Sequence, residues 1–356
     1  MTLSLPIGST IGIIGGGQLG RMLSVAASRL GFRCHIYEPG ANPPAGQVAD
    51  QVTTAAYEDE AALRAFGSSV DVITYEFENI PTAALDLLQD LAPIHPGREA
   101  LRVSQDRLTE KTFLQNLGLK TAPFADITDA ASLDAALSEI GAPSILKTRR
   151  FGYDGKGQAR IMTAEDAPQA LADMQGAPAI LEGFVDFSHE VSVIAARSLD
   201  GAVAAFDPGE NVHSDGILRT TTVPARLTAA QRTDAVLLAA QIANALNYVG
   251  VMGVELFVTS GGLIVNEIAP RVHNSGHWTQ NGCTVDQFEQ HIRAITGWPL
   301  GDGQRHSDVM MENLIGDDMD RVPELVQTPD CALHLYGKAE TKPGRKMGHV
   351  NHIKRA

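Results

Sequence analysis

The sequence predicts an α/β (α+β) multi-domain protein, with a parallel α/β domain first and mixed α+β units after it. Three observations predict this. The first third alternates short apolar runs with stretches of helical periodicity, the βαβ rhythm that builds a parallel sheet. The chain has 356 residues, enough for two or three domains. Its 44% hydrophobic and 20% charged residues match a folded globular protein and exclude a mainly disordered one.

The elements follow in order. Residues 11–14 are an apolar strand ending in glycines, and 18–30 are helical up to Gly31. Residues 33–37 and 70–74 read as strands, 83–91 as a helix, and Ile94 as a short strand before Pro96. A helix over 110–117 stops at Gly118 and runs on to a linker at Pro123. Strands over 144–147, 159–162, 179–182 and 190–196, with helices over 130–140 and 164–174, make a small α+β unit. From Gly201 strands surround one long helix over 229–247, and a strand pair spans 253–268. The expected domains are 1–105, 106–200 and 201–356.

Net charge is -14, which argues against nucleic acid or anionic membrane as a partner. Residues 338–356 nevertheless carry +5, leaving -19 for the rest; such a cluster is either a solvated tail or an anion site. Three widely spaced cysteines, Cys34, Cys283 and Cys331, with no C-x-x-C, fit a reduced cytoplasmic protein. The first residues lack the basic start of a secretory signal. Residues 235–254 are free of charge and long enough for a membrane span. Gln241, Asn244, Asn247, Gly250 and Gly253 make them a helix followed by a strand instead.

Three sites carry chemistry. Gly15, Gly17 and Gly20 form G-x-G-x-x-G between a strand and a helix, and Glu38 ends the next strand. The pattern fits a dinucleotide, another phosphate-bearing ligand or a structural turn. In GVELFVTSGGLIVNEIAPR, a turn centred on Gly261 sets Thr259 against Leu263 and Glu255 against Glu267. Opposed carboxylates at ~4.5–5.5 Å repel unless a cation lies between them, and Mg²⁺ completed by phosphates and water resolves the conflict. Asn266 stands beside the pair. Lys147 ends an apolar strand ahead of the loop FGYDGKGQ, whose Gly152, Tyr153, Asp154, Gly155, Lys156, Gly157 and Gln158 can wrap phosphate oxygens. No Walker motif is present. Glu182, Gly183, Phe184 and Val185 then offer an apolar edge for a base, and Glu190 reaches toward a ribose.

A lysine strand, glycine lid, E-G-F-V hinge and paired Glu255 and Asn266–Glu267 follow the ATP-grasp order. More narrowly the chain resembles the N(5)-carboxyaminoimidazole ribonucleotide synthase family. The segments GGGQLGRML, EFENI, QDRLTEK, GYDGKGQ, HSDGILR, GVELF, NEIAPRVHNSGHWTQNG and PGRKMGH carry the match from Gly15 to His349. The resemblance implies an N-terminal pre-ATP-grasp domain followed by the two-part ATP-grasp fold. It implies ATP-dependent carboxylation of aminoimidazole ribonucleotide with bicarbonate in purine biosynthesis, in a homodimer.

The resemblance also implies roles. Gly17, Gln18, Leu19 and Glu76 contact the acceptor ribonucleotide, so the first loop holds no NAD. Lys338, Arg345 and Lys346 hold its 5′-phosphate. Lys342 stands where relatives often have Arg. Arg107 and His213 join the ATP site. Arg271, whose planar fork matches carbonate, holds bicarbonate or carboxyphosphate beside His273 and Asn274. Asp154 orders the lid or the amine. HNSGH lacks the helix and third ligand of a zinc site. A formate-using ATP-grasp transformylase, an NAD oxidoreductase and a non-catalytic nucleotide binder are the competing readings. HNSGHWTQNG and PGRK oppose the first, the second explains only the first 40 residues, and both metal carboxylates oppose the third.

Overall fold

The computed structural model describes residues 4–152 and 156–354. Its first sheet is parallel, in the order Gln51–Thr53, Arg33–Tyr37, Thr10–Ile14, Val72–Tyr75. The middle strand is continuously apolar because parallel strands are covered on both faces; Ile11, Ile13 and Ile14 are fully buried. The expected short strand at Ile94 is a single parallel bridge to Ile73. Helix Gln18–Arg29 buries Leu19, Met22, Leu23, Ala26 and Ala27, the i, i+3, i+4 stripe of an amphipathic helix. That stripe shares a core with Phe288, Ile292 and Ile295, so the first domain is packed onto the far end of the chain.

Residues 124–183 form an antiparallel sheet in the order Phe124–Ile127, Ala179–Gly183, Ser144–Thr148, Gln158–Ile161. Helices Ala130–Ile140 and Ala167–Asp173 supply its core. The expected helix over 164–174 opens as a 3-10 turn, Ala164–Asp166, and becomes α-helical at Ala167, where Pro168 suits a first turn.

A large antiparallel sheet follows, in the order Gly262–Ala269, Gly250–Thr259, His189–Arg197, Gly209–Ser214, Ile217–Val223, Asp308–Ile315, Lys346–Lys354, Cys331–Leu335. Strand Val203–Ala205 also pairs with His189–Arg197. The sheets therefore change over between Gly183 and His189, ahead of residue 200, where the sequence reading divided the second unit from the third. Part of the stretch with excess positive charge is built into the fold: Lys346–Lys354 is a strand bonded on both edges, while Lys342 is exposed in the segment before it. The uncharged run resolves as helix Ala229–Ala245 and strand Gly250–Thr259, and among the described residues no helix is long and apolar enough to cross a membrane.

Candidate active site

Glu255 and Glu267 do face one another, by a different register from the one expected. The turn is Ser260–Gly261, so Thr259 pairs with Gly262 and Val258 with Leu263. A β-bulge at Glu255/Leu256 then takes up one residue and brings Glu255 opposite Glu267. A bulge thus creates the pair. Glu255 is the more enclosed, its side chain 13% exposed against 38% for Glu267. Burial and the facing Glu267 push the Glu255 carboxyl up. Burial would raise Glu267 too, but Arg107, 3.1 Å away, holds it below the usual carboxylate range. An all-oxygen pair with this repulsion fits a hard divalent cation. Glu190 and His213 extend the site: with Glu255 they offer ligand atoms all within 4.8 Å of one another.

The nucleotide side is built on Lys147 and Glu182, from adjacent strands of the smaller sheet, 2.9 Å apart. Burial opposes ionisation of Glu182, yet Lys147 and Lys111 hold it down to about 2. One Glu182 oxygen bonds Lys147; the other is buried with no partner among the described residues. Glu190 lies 3.0 Å from His213 Nδ1, and this carboxylate raises the imidazole against the effect of burial. Phe184 is exposed in the hinge, with Val185 half-buried beside it. In the lid, the Gly157 carbonyl accepts the Thr148 amide and the Gly152 carbonyl accepts Arg107 Nη2 at 3.3 Å. Lys156 and Gln158 close the described part of the loop, while Tyr153, Asp154 and Gly155 lie outside the described residues.

Sequence reasoning named Arg107 for the ATP site but missed Glu110 and Lys111, which support the site with it. Helix Arg107–Asn116 points three side chains at one strand. Arg107 reaches the Glu267 carboxylate, Glu110 accepts the Ile268 amide at 2.6 Å, and Lys111 donates to the Asn266 carbonyl at 2.7 Å. Positions i, i+3 and i+4 share a helix face, a spacing that was readable. Their partners, more than 150 residues away, were not. Phe187, stacked on Phe257 at 4.5 Å beside the hinge, was also missed.

Arg271 and His273 stand just past the end of strand Gly262–Ala269. Arg271 donates Nε and Nη2 to Glu78, a residue that sequence reasoning also passed over, and Nη1 to the Val272 carbonyl. The Ser275 hydroxyl (2.8 Å) and amide (3.4 Å) both face His273 Nδ1, leaving the ring proton on Nε2, 3.5 Å from Glu255. Burial and Arg271 lower His273 to about 3, so it is a neutral donor. Asn274, expected among the catalytic groups, exchanges amide hydrogen bonds with the buried Asn313 instead. This pairing turns it toward strand Asp308–Ile315 of the large sheet.

Three amides of the glycine loop are engaged by the chain's own carboxylates. Glu76 accepts the Gly17 and Gly20 amides, and Glu38 accepts the Gly16 amide at 2.8 Å. The amides a dinucleotide pyrophosphate needs are therefore spent on the chain's own carboxylates. A Cβ on Gly17 would sit 2.5 Å from Glu76 Oε1, which explains the glycine. Gln18 opens the helix, and Leu19 is buried behind the loop. Glu76, the expected substrate contact, thus also shapes the loop. The segment after strand Cys331–Leu335 reaches the same loop: Gln47 donates to the Gly337 carbonyl at 2.7 Å, and Ala45, two residues before Gln47, donates to the Gly16 carbonyl. Lys338 donates to the Lys346 carbonyl at 2.6 Å, and Lys346 acts electrostatically on Glu255 and His273. Arg345 is turned to the Glu340 carbonyl at 3.0 Å.

This arrangement defines the class: a parallel acceptor domain joined to an ATP-grasp unit. Family models match accordingly, a ribonucleotide synthetase preATP-grasp domain over 8–105, an ATP-grasp domain over 112–288 and a phosphoribosylaminoimidazole carboxylase C-terminal domain over 309–356. The chain is 55% identical over 354 residues to N5-carboxyaminoimidazole ribonucleotide synthase of Brucella melitensis, covering 99% of this chain and 98% of that one. It is 45% identical to the Bacillus subtilis enzyme of that name, over 98% of this chain and 92% of that one. A solved ADP complex of such a synthetase superposes with TM-score 0.97 at 42% identity, covering 100% and 95% of the two chains. The Aspergillus clavatus synthase with ADP and 5-aminoimidazole ribonucleotide gives 0.92 at 31% identity, over 98% and 94%. The chain belongs to the N5-carboxyaminoimidazole ribonucleotide synthase family, and it is an ATP-grasp ligase.

Proposed function

We propose that this site carboxylates the exocyclic amine of 5-aminoimidazole ribonucleotide, using ATP and bicarbonate, in purine biosynthesis. The observation that carries the reading is the facing Glu255–Glu267 pair, with nucleotide groups on one side and Arg271 and His273 on the other. Glu255 and Glu267 would hold Mg²⁺, which when bound neutralises phosphate charge.

ATP is held by Lys147, Arg107, Glu182–Val185, Glu190, His213, Asn266 and the lid 152–158. A bicarbonate oxygen attacks the γ-phosphorus, the bond to the β-phosphate oxygen breaks, and ADP leaves. The amine nitrogen then attacks the carbon of carboxyphosphate, or of the CO₂ it releases; a C–N bond forms, phosphate departs and the amine loses a proton. An anion approaching a polyanion needs positioning and charge neutralisation more than acid–base work. Arg271 supplies a fork for the carbonate group, and His273, neutral at Nε2, a hydrogen bond. The lid keeps water from carboxyphosphate, with Asp154 in it ordering the lid or the amine. Gln18, Leu19 and the glycine loop seat the ribonucleotide, and Lys338, Arg345 and Lys346 its 5′-phosphate. The protein acts as a cytoplasmic homodimer.

The test is labelled bicarbonate: with ATP, Mg²⁺ and the ribonucleotide, label enters an acid-labile nucleotide product. Label that stays as bicarbonate while the protein remains folded would refute the reading.

A further inference from the structure

Arg271 is read above as the holder of the carbonate group, and the present inference rests on that reading. A guanidinium has five N–H donors. In Arg271 three are committed: Nε and Nη2 to the two oxygens of Glu78, and one from Nη1 to the Val272 carbonyl. One N–H remains on Nη1 and one on Nη2. The guanidinium thus keeps one donor on each terminal nitrogen, enough to bind two oxygens of a carbonate or carboxylate.

Glu78 comes from the other end of the chain, 193 residues away, in the segment after strand Val72–Tyr75. Its backbone is pinned. Gln105, itself 6% exposed, donates its side-chain amide to the carbonyls of Glu78 at 2.7 Å and Ile80 at 2.9 Å. The Gln105 carbonyl accepts Arg150 at 2.8 Å, at the root of the lid. The carboxylate that orients Arg271 is thus fixed by both the acceptor domain and the lid base.

A buried ion pair is weak evidence for stability, because desolvation offsets the attraction. The pair has more to explain here. Arg271 also feels Glu267 and Glu76, yet among the described residues Glu78 is the carboxylate hydrogen-bonded to it. Without Glu78 the guanidinium is drawn toward the acidic pair, where it would compete with a metal ion. We propose that Glu78 is a positioning residue for the carboxylation step: it locks the Arg271 plane so that these two remaining donors serve the bicarbonate-derived group.

The test is steady-state kinetics on Glu78→Gln, Arg271→Ala and the double variant, with thermal unfolding as a control. Glu78→Gln should lower kcat about 10- to 100-fold, the range of a lost charge-assisted hydrogen bond. It should raise the KM for bicarbonate and leave that for ATP unchanged. In the Arg271→Ala background the same change should cost nothing further. Glu78→Asp keeps the charge but withdraws it, and should show the same selective loss should Glu78→Gln fail to fold. An equal loss in both backgrounds, or none in wild type, would overturn the positioning role. Full turnover by Arg271→Ala would instead refute the reading of Arg271, and this inference with it.

Discussion

Glu267 stands between a cation the chain supplies, Arg107, and the place where a metal is expected. Replacing it with Gln keeps the shape and removes the charge. Glu267→Gln should abolish phosphate release from ATP while leaving the melting temperature near wild type; full activity in saturating Mg²⁺ would exclude its metal role. Glu255→Gln should be milder, since burial and Glu267 already disfavour its charge. At the first loop, NADH should not bind, because Glu76 and Glu38 occupy the amides of Gly17, Gly20 and Gly16. Micromolar binding followed by nicotinamide fluorescence would contradict this. The facing carboxylates were legible because a short turn with two glycines ties their strands together. The bulge was not, since Asn266 looks like any strand residue. Glu78 was hidden for a different reason: its meaning depends on Arg271, and no local pattern joins them.

Helix Arg107–Asn116 behaves as a clamp on strand Gly262–Ala269. Lys111, 1% exposed, is the least replaceable part, bonding the Asn266 carbonyl and lying 3.6 Å from Glu182. Lys111→Met should cost about 1.5–3 kcal/mol in urea unfolding, the value of a hydrogen bond to a charged group. It should also raise the KM for ATP, because both strand Gly262–Ala269 and Glu182 lose their common anchor. A second element joins the domains. In helix Gln287–Thr296, His291 accepts the Val251 amide at Nδ1 (3.0 Å) and contacts Thr74 of the parallel sheet through Nε2 (2.8 Å). Burial, with His95 nearby, lowers it to about 3 from its ordinary 6.5. The unfolded chain therefore binds the extra proton in this window, and stability present above pH 6.5 is lost as pH falls toward 3. His291→Gln should reduce the slope of unfolding free energy against pH there by at most ~1.4 kcal/mol per unit. An unchanged slope would contradict the assignment. Strands and helices with clear periodicity, such as Arg33–Tyr37 and Ala130–Ile140, were readable to the residue. Short ones were not: Gln51–Thr53 has three residues, too few for any periodicity to register.

Across the whole molecule, three sheets converge on one cleft. The parallel sheet brings the glycine loop and Glu78, the small sheet Lys147 and Glu182, and the large sheet Glu255, Glu267 and Arg271. The basic strand Lys346–Lys354 inserts between Asp308–Ile315 and the edge strand Cys331–Leu335, so part of a charge excess that reads in sequence as a possible tail is built into the large sheet. Its side-chain targets were beyond the reach of sequence because they depend on how the last strand inserts between two earlier ones. The central claim is that ATP cleavage here serves carboxylation of one acceptor. The most direct measurement is phosphate release from ATP with Mg²⁺, taken with and without 5-aminoimidazole ribonucleotide, bicarbonate and formate. The account predicts rapid release only when the ribonucleotide and bicarbonate are both present, and no response to formate. Release that formate supports in place of bicarbonate, or that ignores the ribonucleotide, would contradict it.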